Sequence, residues 1–169
     1  INSIINQNYK SYEIIMVYDD PNKKDLKYIN KLLKPFRYKK IIINKKNLGV
    51  AKSRNLAIKF CKGEYLAFLD SDDIWKKNKL SYQLKFMKKN SSLFSFSSYD
   101  IIDINKKILK KHFVTKDPDY KTLLNSNFIG LSTVMIHKKI YPKIIFPYLK
   151  TQEDFGLWLK LLRQGVKLH

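Results

Sequence analysis

The sequence predicts an α/β domain built on a mostly parallel sheet, and three observations predict it. Short runs of strand length are apolar almost throughout, as in strands buried on both faces. Stretches with helical spacing separate them, which is the alternation of βαβ units with right-handed crossovers. The length of 169 residues suits one domain, and 44% hydrophobic with 28% charged residues is an ordinary globular composition.

The elements follow in order. Ile1 to Asn8 reads as the back half of a helix, an odd opening for a βαβ fold. Tyr12 to Tyr18 is a β-branched strand. Lys23 to Lys34 carries Leu26, Ile29, Leu32 and Leu33 at helical spacing, and Pro35 closes it. Lys39 to Asn44 is a second strand. Gly49 to Cys61 is a helix with Gly63 expected as its cap. Glu64 to Leu69 is a third strand, Lys76 to Lys89 a lysine-rich amphipathic helix, and Leu93 to Ser98 a fourth strand. Ile101 to Ile104 and Lys107 to Phe113 flank an Asn105-Lys106 turn as a hairpin. Asp119 to Asn125 is a short helix, Leu131 to Ile136 a strand, and Thr151 to Gln164 a helix. Val166 to His169 reads as a strand cut short, so the chain looks like a fragment truncated at both ends. No linker or repeat divides residues 1–169, which are read as one partial domain.

Composition excludes several classes. No apolar run approaches the roughly 20 residues of a membrane-spanning helix. Ile1 to Lys10 lacks the basic-then-apolar pattern of a secretory signal. Cys61 is the only cysteine, so an internal disulfide and a multi-cysteine zinc site are both excluded, and a reducing compartment fits. His112, His137 and His169 are not spaced as a metal pair. Neither a GxGxxG nor a GxxxxGK[ST] phosphate loop occurs.

The net charge is +20, from 34 basic and 14 acidic side chains. Only Arg37, Arg54 and Arg163 are arginine, so 31 are lysine, scattered among Ile and Asn. That scatter fits codon bias in an AT-rich genome. It is a poor match to nucleic-acid reading, which uses arginine forks. The charge also suits an anionic membrane surface or a polyanionic substrate.

Acid is scarce in this chain, yet it collects at predicted strand tips. Asp70-Ser71-Asp72-Asp73 follows an apolar strand directly. Ligands of open parallel sheets bind beyond the carboxyl ends of the strands. Carboxylates this close repel unless a cation sits among them, and Mg²⁺ or Mn²⁺ takes oxygen ligands. The structural alternative is an acidic turn with Asp73 capping the next helix. Asp19-Asp20 ends the first strand, either as turn chemistry with Pro21-Asn22 or as an acceptor for a ligand base or ribose. Glu153-Asp154 opens the last helix. Thr151 and Asp154 have capping-box spacing, and the alternative makes Asp154 a general base. Arg54 near a helix start suits a diphosphate, or else pairs with an acidic neighbour.

Several ordered segments resemble glycosyltransferase family 2. They are Ser3-Ile4-Ile5-Asn6-Gln7-Asn8-Tyr9-Lys10, Glu13-Ile14-Ile15-Met16-Val17-Tyr18-Asp19-Asp20, Asn47-Leu48-Gly49-Val50-Ala51-Lys52-Ser53-Arg54-Asn55-Leu56-Ala57-Ile58 and Gly63-Glu64-Tyr65-Leu66-Ala67-Phe68-Leu69-Asp70-Ser71-Asp72-Asp73-Ile74-Trp75. Gln152-Glu153-Asp154-Phe155-Gly156-Leu157-Trp158-Leu159 resembles that family's later acidic segment. The resemblance covers nearly the whole chain. It implies a GT-A-type, Rossmann-like α/β/α sandwich and inverting sugar transfer from a nucleotide-diphosphate sugar, a UDP-sugar first, to an acceptor hydroxyl.

By the match, Asp19 contacts the donor base, with Asp20 as fallback because Tyr18-Asp19-Asp20 stands where the family has Asp-Asp-Gly. Asp70 lies by the ribose. Asp72 completes the DXD motif and holds Mn²⁺ or Mg²⁺. Arg54 lies near the diphosphate, and Asp154 is the catalytic base. The expected setting is bacterial surface polysaccharide or lipid-linked glycan synthesis. The acceptor is a glycan or a lipid-linked sugar, and the enzyme works in the cytoplasm at the inner face of an anionic membrane. No nucleic-acid partner is expected. The family's first strand is not found before Ile1, and its Gln-x-x-Arg-Trp motif is absent. Two other readings stand beside this one. A sugar-phosphate nucleotidylyltransferase would show a Gly-rich loop with Arg and Lys. A basic polyanion-binding module would tolerate loss of the acidic residues.

Overall fold

Strand β1 (Ile14–Tyr18) runs parallel to β2 (Lys39–Ile43), with Ile14 opposite Lys39 and Tyr18 opposite Ile43. Helix α2 (Leu26–Leu33) makes the crossover and stops before Pro35, which disfavours helical backbone in the residue ahead of it. The computed structural model describes residues 1–114 and 117–169. It opens on a short helix, α1 (Asn2–Ile5). The buried Gln7 just beyond it donates to the carbonyls of Ser3 and Lys76 at 3.0 and 2.8 Å and accepts from the Leu80 amide at 3.1 Å.

The second sheet has β7 (Met135–His137) between β3 (Tyr65–Ala67) and β4 (Phe94–Ser95), antiparallel to both. Strands β3 and β4 therefore run parallel to each other, and α4 (Lys79–Lys89) joins them. The α/β class holds. In place of one mostly parallel sheet there are a parallel pair and a separate three-stranded sheet with antiparallel pairing, and the antiparallel pairing has a topological reason. After β4 the chain stays at the carboxyl end of the sheet, so it must return in the opposite direction. Before it returns it forms the hairpin β5 (Tyr99–Ile102) and β6 (Ile108–His112), then α5 (Tyr120–Asn125). Asp119 caps α5 by accepting from the Thr122 amide at 2.6 Å. The strand expected from Leu131 begins only at Met135, after a 3-10 turn over Leu131–Thr133.

Helix α6 (Glu153–Arg163) supplies the centre of the core. Trp158 is fully buried, its ring 5.1 Å from Phe94 and 6.4 Å from Phe146, and its indole N–H donates to the Ile129 carbonyl at 3.2 Å. Leu157 and Leu161 of the same face are also buried, as helical spacing requires. Gly156 is needed for close approach, because a Cβ there would lie 3.0 Å from Pro147 Cγ.

Several local expectations differ. The capping box at Thr151 does not form; Gln152 precedes α6 in left-handed conformation, φ 59°, without a side-chain cap bond. Helix α3 (Val50–Ile58) ends before Gly63, whose amide instead donates to Glu13 Oε1 at 2.8 Å. Asp73 does not cap α4, which starts at Lys79. Val166 to His169 is not a full strand, yet the Phe96 amide donates to the His169 carbonyl at 2.8 Å, so this segment lies along β4.

Candidate functional site

The acidic turn after β3 is fixed from two sides. The Asp70 amide donates to Ser132 Oγ at 2.9 Å, and the Trp75 indole donates to the Ser132 carbonyl at 2.7 Å. The Asp73 amide closes the turn on the Asp70 carbonyl at 3.2 Å. Asp72 is exposed on this turn. Behind it the Lys79 ammonium sits 4.3 Å over the Trp75 ring and donates to the Val134 carbonyl at 3.3 Å. Burial pulls its pKa down to about 7.

Arg54, on α3, reaches two other elements. Its guanidinium donates to Asp70 Oδ1 at 2.7 Å and also pairs with Glu153 Oε1 at the first turn of α6. The arginine thus pairs with acidic neighbours, one of the two roles its position suggested. Asp154 follows Glu153 and accepts from the Phe155 amide at 2.7 Å. Burial raises its pKa most, and the negative charges of Glu153 and Asp70 add to the rise. The Phe155 bond and Arg54 oppose these effects without cancelling them. A half-buried carboxyl with raised proton affinity is suited to accept a proton.

At the tip of β1, Asp19 is fully engaged. Oδ1 accepts from Asn44 Nδ2 at 2.6 Å and the Leu48 amide at 2.9 Å, and Oδ2 accepts from the Gly49 amide at 2.8 Å. Burial alone would raise its pKa, but these bonds together with one from Ser53 hold it below the usual carboxylate value. Gly49, at φ 80° and ψ 163°, stands at the N-cap of α3 and lets the backbone turn toward the aspartate. Asn44 donates onward to Ser53 Oγ at 3.1 Å, which ties Asp19 to α3. Among the described residues the Asp20 carboxylate accepts only from the Asn22 amide, at 2.9 Å on Oδ1.

Arg54 therefore holds Asp70 and Glu153 together, which brings the helix start carrying Asp154 to the tip of β3, and Asp72 lies on the turn that Asp70 begins. Asp19 and Asp20 stand at the carboxyl end of the neighbouring parallel pair. Three supporting residues escape sequence reasoning. Glu153 was visible only as part of an acidic pair, and Ser132 carries no local signal. Asn55 forms a two-point clamp on Phe146, donating to its carbonyl at 2.9 Å and accepting from its amide at 2.8 Å, which only folding brings about.

No cluster of three His, Cys, Asp or Glu side chains suited to a metal occurs among the described residues. The donors that exist are carboxylate oxygens, and Asp72 is exposed while Asp70 leaves one oxygen outside its Arg54 pair. That set fits a hard divalent cation bound by one or two carboxylates with substrate phosphates supplying further ligands.

The fold is that of a GT-A-type domain. The family pattern described as Glycosyl transferase family 2 matches residues 1–146. The chain belongs to glycosyl transferase family 2. It is 34% identical over 98% of its length to the UDP-Glc:alpha-D-GlcNAc-diphosphoundecaprenol beta-1,3-glucosyltransferase WfgD of Escherichia coli, covering 64% of that protein. It is likewise 34% identical to the putative teichuronic acid biosynthesis glycosyltransferase TuaG of Bacillus subtilis, with 98% and 66% covered. The chain thus spans just under two thirds of these relatives. The crystal structure of S. aureus TarS 1-349 in complex with UDP-GlcNAc superposes with a TM-score of 0.77 at 25% identity, over 99% of this chain and 50% of TarS 1-349. No described helix is long and apolar enough to cross a membrane.

Proposed function

We propose that the chain carries the donor-binding and base-bearing part of an inverting, metal-dependent glycosyltransferase. It moves a sugar from a UDP-sugar to a hydroxyl of a glycan or lipid-linked acceptor in bacterial surface polysaccharide synthesis, at the inner face of the membrane. The observation that carries this reading is Arg54, which ties the acidic tip of β3 to the helix start bearing Asp154. The names of the related proteins support the substrate class: WfgD is named for a UDP-glucose donor and a diphosphoundecaprenol-linked acceptor, and TarS was crystallised with UDP-GlcNAc.

Asp20 takes the base contact ahead of Asp19, whose two oxygens already accept from Asn44, Leu48, Gly49 and Ser53. Asp19 instead braces the loop from Asn47 to Gly49. Asp70 turns its free oxygen to the ribose, and Arg54 sets its orientation. Asp72 holds the divalent cation, which when bound supplies positive charge to the leaving diphosphate. Asp154 accepts the acceptor's hydroxyl proton as that oxygen bonds to the anomeric carbon and the bond to the diphosphate breaks. One displacement inverts the carbon.

The test is transfer of labelled glucose from UDP-glucose to a GlcNAc-diphospho-lipid. Asp154→Asn should lower turnover about 10²- to 10⁴-fold while donor binding survives. Undiminished turnover in Asp154→Asn would remove the base from this account.

A further inference from the structure

We infer that the β5–β6 hairpin is the element that docks the domain on an anionic lipid bilayer. The inference rests on the reading that the enzyme works at a membrane face, and it names the surface. The hairpin projects apolar side chains into water. Ile104 at its turn is 97% exposed, Leu109 64% and Phe113 70%. Four lysines surround them: Lys106, Lys107, Lys110 and Lys111, all exposed.

None of these lysines forms an ion pair among the described residues. Two acids belong to the hairpin, and one of them pairs outside it. Asp100 pairs with Lys76 at 2.7 Å, and Asp103 accepts from the Lys107 amide at 2.8 Å inside the turn. The distal ribbon, with four lysines against the Asp103 carboxylate, therefore presents net positive charge among large apolar groups. A two-stranded ribbon exposed on both faces is marginal in water and gains by burying such groups. Apolar residues flanked by lysine match the bilayer interface, where the apolar groups enter the acyl boundary and ammonium groups meet anionic headgroups. A soluble polyanion would satisfy the lysines and leave Ile104, Leu109 and Phe113 wet.

The base of the hairpin shows what docking would do. The Lys76–Asp100 pair joins β5 to the segment following the acidic turn, and the Tyr99 ring stacks on His112 with centroids 4.8 Å apart. The irregular pairing between Ile101 and Ile102 leaves Leu109 as the extra residue of a bulge that reorients the distal ribbon. A seated hairpin brings the carboxylate edge to the membrane surface, where a lipid-linked acceptor presents its sugar.

Vesicle flotation tests this with the whole chain. The vesicles contain equal parts phosphatidylglycerol and phosphatidylcholine, or phosphatidylcholine alone. The wild type should float with the anionic vesicles. Ile104→Ser with Leu109→Ser, and separately Lys106→Glu with Lys107→Glu, should each weaken partition on the order of tenfold or more. Lys27→Glu with Lys31→Glu makes the same charge change on α2 and should lower binding far less. Ile104→Trp should show a blue-shifted emission when vesicles are added. If the wild type ignores anionic vesicles, the membrane reading and the hairpin proposal both fall. If it floats while the hairpin variants float equally, or the α2 variant loses as much, the hairpin proposal alone is overturned. A blue shift of Ile104→Trp that grows with protein concentration without lipid would overturn it in favour of a second copy of the chain.

Discussion

Arg54 and Glu153 lie 99 positions apart in sequence and form an ion pair between the middle of α3 and the first turn of α6. Glu153 is buried, and the same guanidinium continues to Asp70 at 2.7 Å. One planar fork thereby fixes the end of β3 and the start of α6, a geometry that a lysine point charge does not reproduce.

Arg54→Gln should destabilise the fold by about 3 kcal/mol, because it strands the buried Glu153 carboxylate. Glu153→Gln should cost less, about 1–2 kcal/mol, since a neutral amide can still accept from Arg54. Urea unfolding checks both. A change within about 0.5 kcal/mol for Arg54→Gln would mean that the pair contributes nothing net.

As the proposed base, Asp154 should set the acid limb of the pH–rate profile. Burial raises its pKa, so the carboxylate forms at higher pH than in an exposed aspartate. The acid limb of kcat/KM should therefore lie higher than that of an exposed aspartate. Glu153→Gln removes a neighbouring negative charge and should move the limb to lower pH. The pH–rate profiles of wild type and Glu153→Gln measure this, and coincident limbs would contradict it.

Gly49→Ala isolates backbone strain. A Cβ at Gly49 meets nothing within 4 Å, so the cost comes from φ 80° rather than from crowding. The expected loss is about 1–3 kcal/mol by thermal or urea unfolding. A neutral result would show that the Asp19 contact relaxes without it.

Lys79→Met should stabilise the protein, most of all at low pH. The folded ammonium has its pKa pulled from 10.5 to about 7 by burial, so the unfolded chain binds the extra proton between these values. Stability from this group therefore rises as pH increases through that window. The advantage of Lys79→Met over wild type should shrink across the same window in melts at successive pH values. A constant gap would place the ammonium in water.

The sequence alone revealed much of this. Apolar strands, helical spacing and acidic strand tips identified the α/β class and located Asp19, Asp70, Asp72 and Asp154 correctly on their elements. The antiparallel entry of β7 was not legible, because the pattern of Met135 to His137 records burial and not direction. The capping box was misleading at Thr151: its spacing suits helix chemistry, but Glu153 is drawn to Arg54 and the helix starts without it. Nothing local discloses that Asn44, Leu48 and Gly49 converge on Asp19. Long-range partners such as Ser132 and Asn55 leave no periodic trace.

The most direct test of the central claim is calorimetric titration of UDP into the chain with Mn²⁺ present, for wild type and Asp72→Ala. The account predicts saturable, Mn²⁺-dependent binding by wild type that Asp72→Ala loses. Equal binding by both proteins, or binding indifferent to Mn²⁺, would contradict the assignment of Asp72 and the metal-dependent donor site built on it.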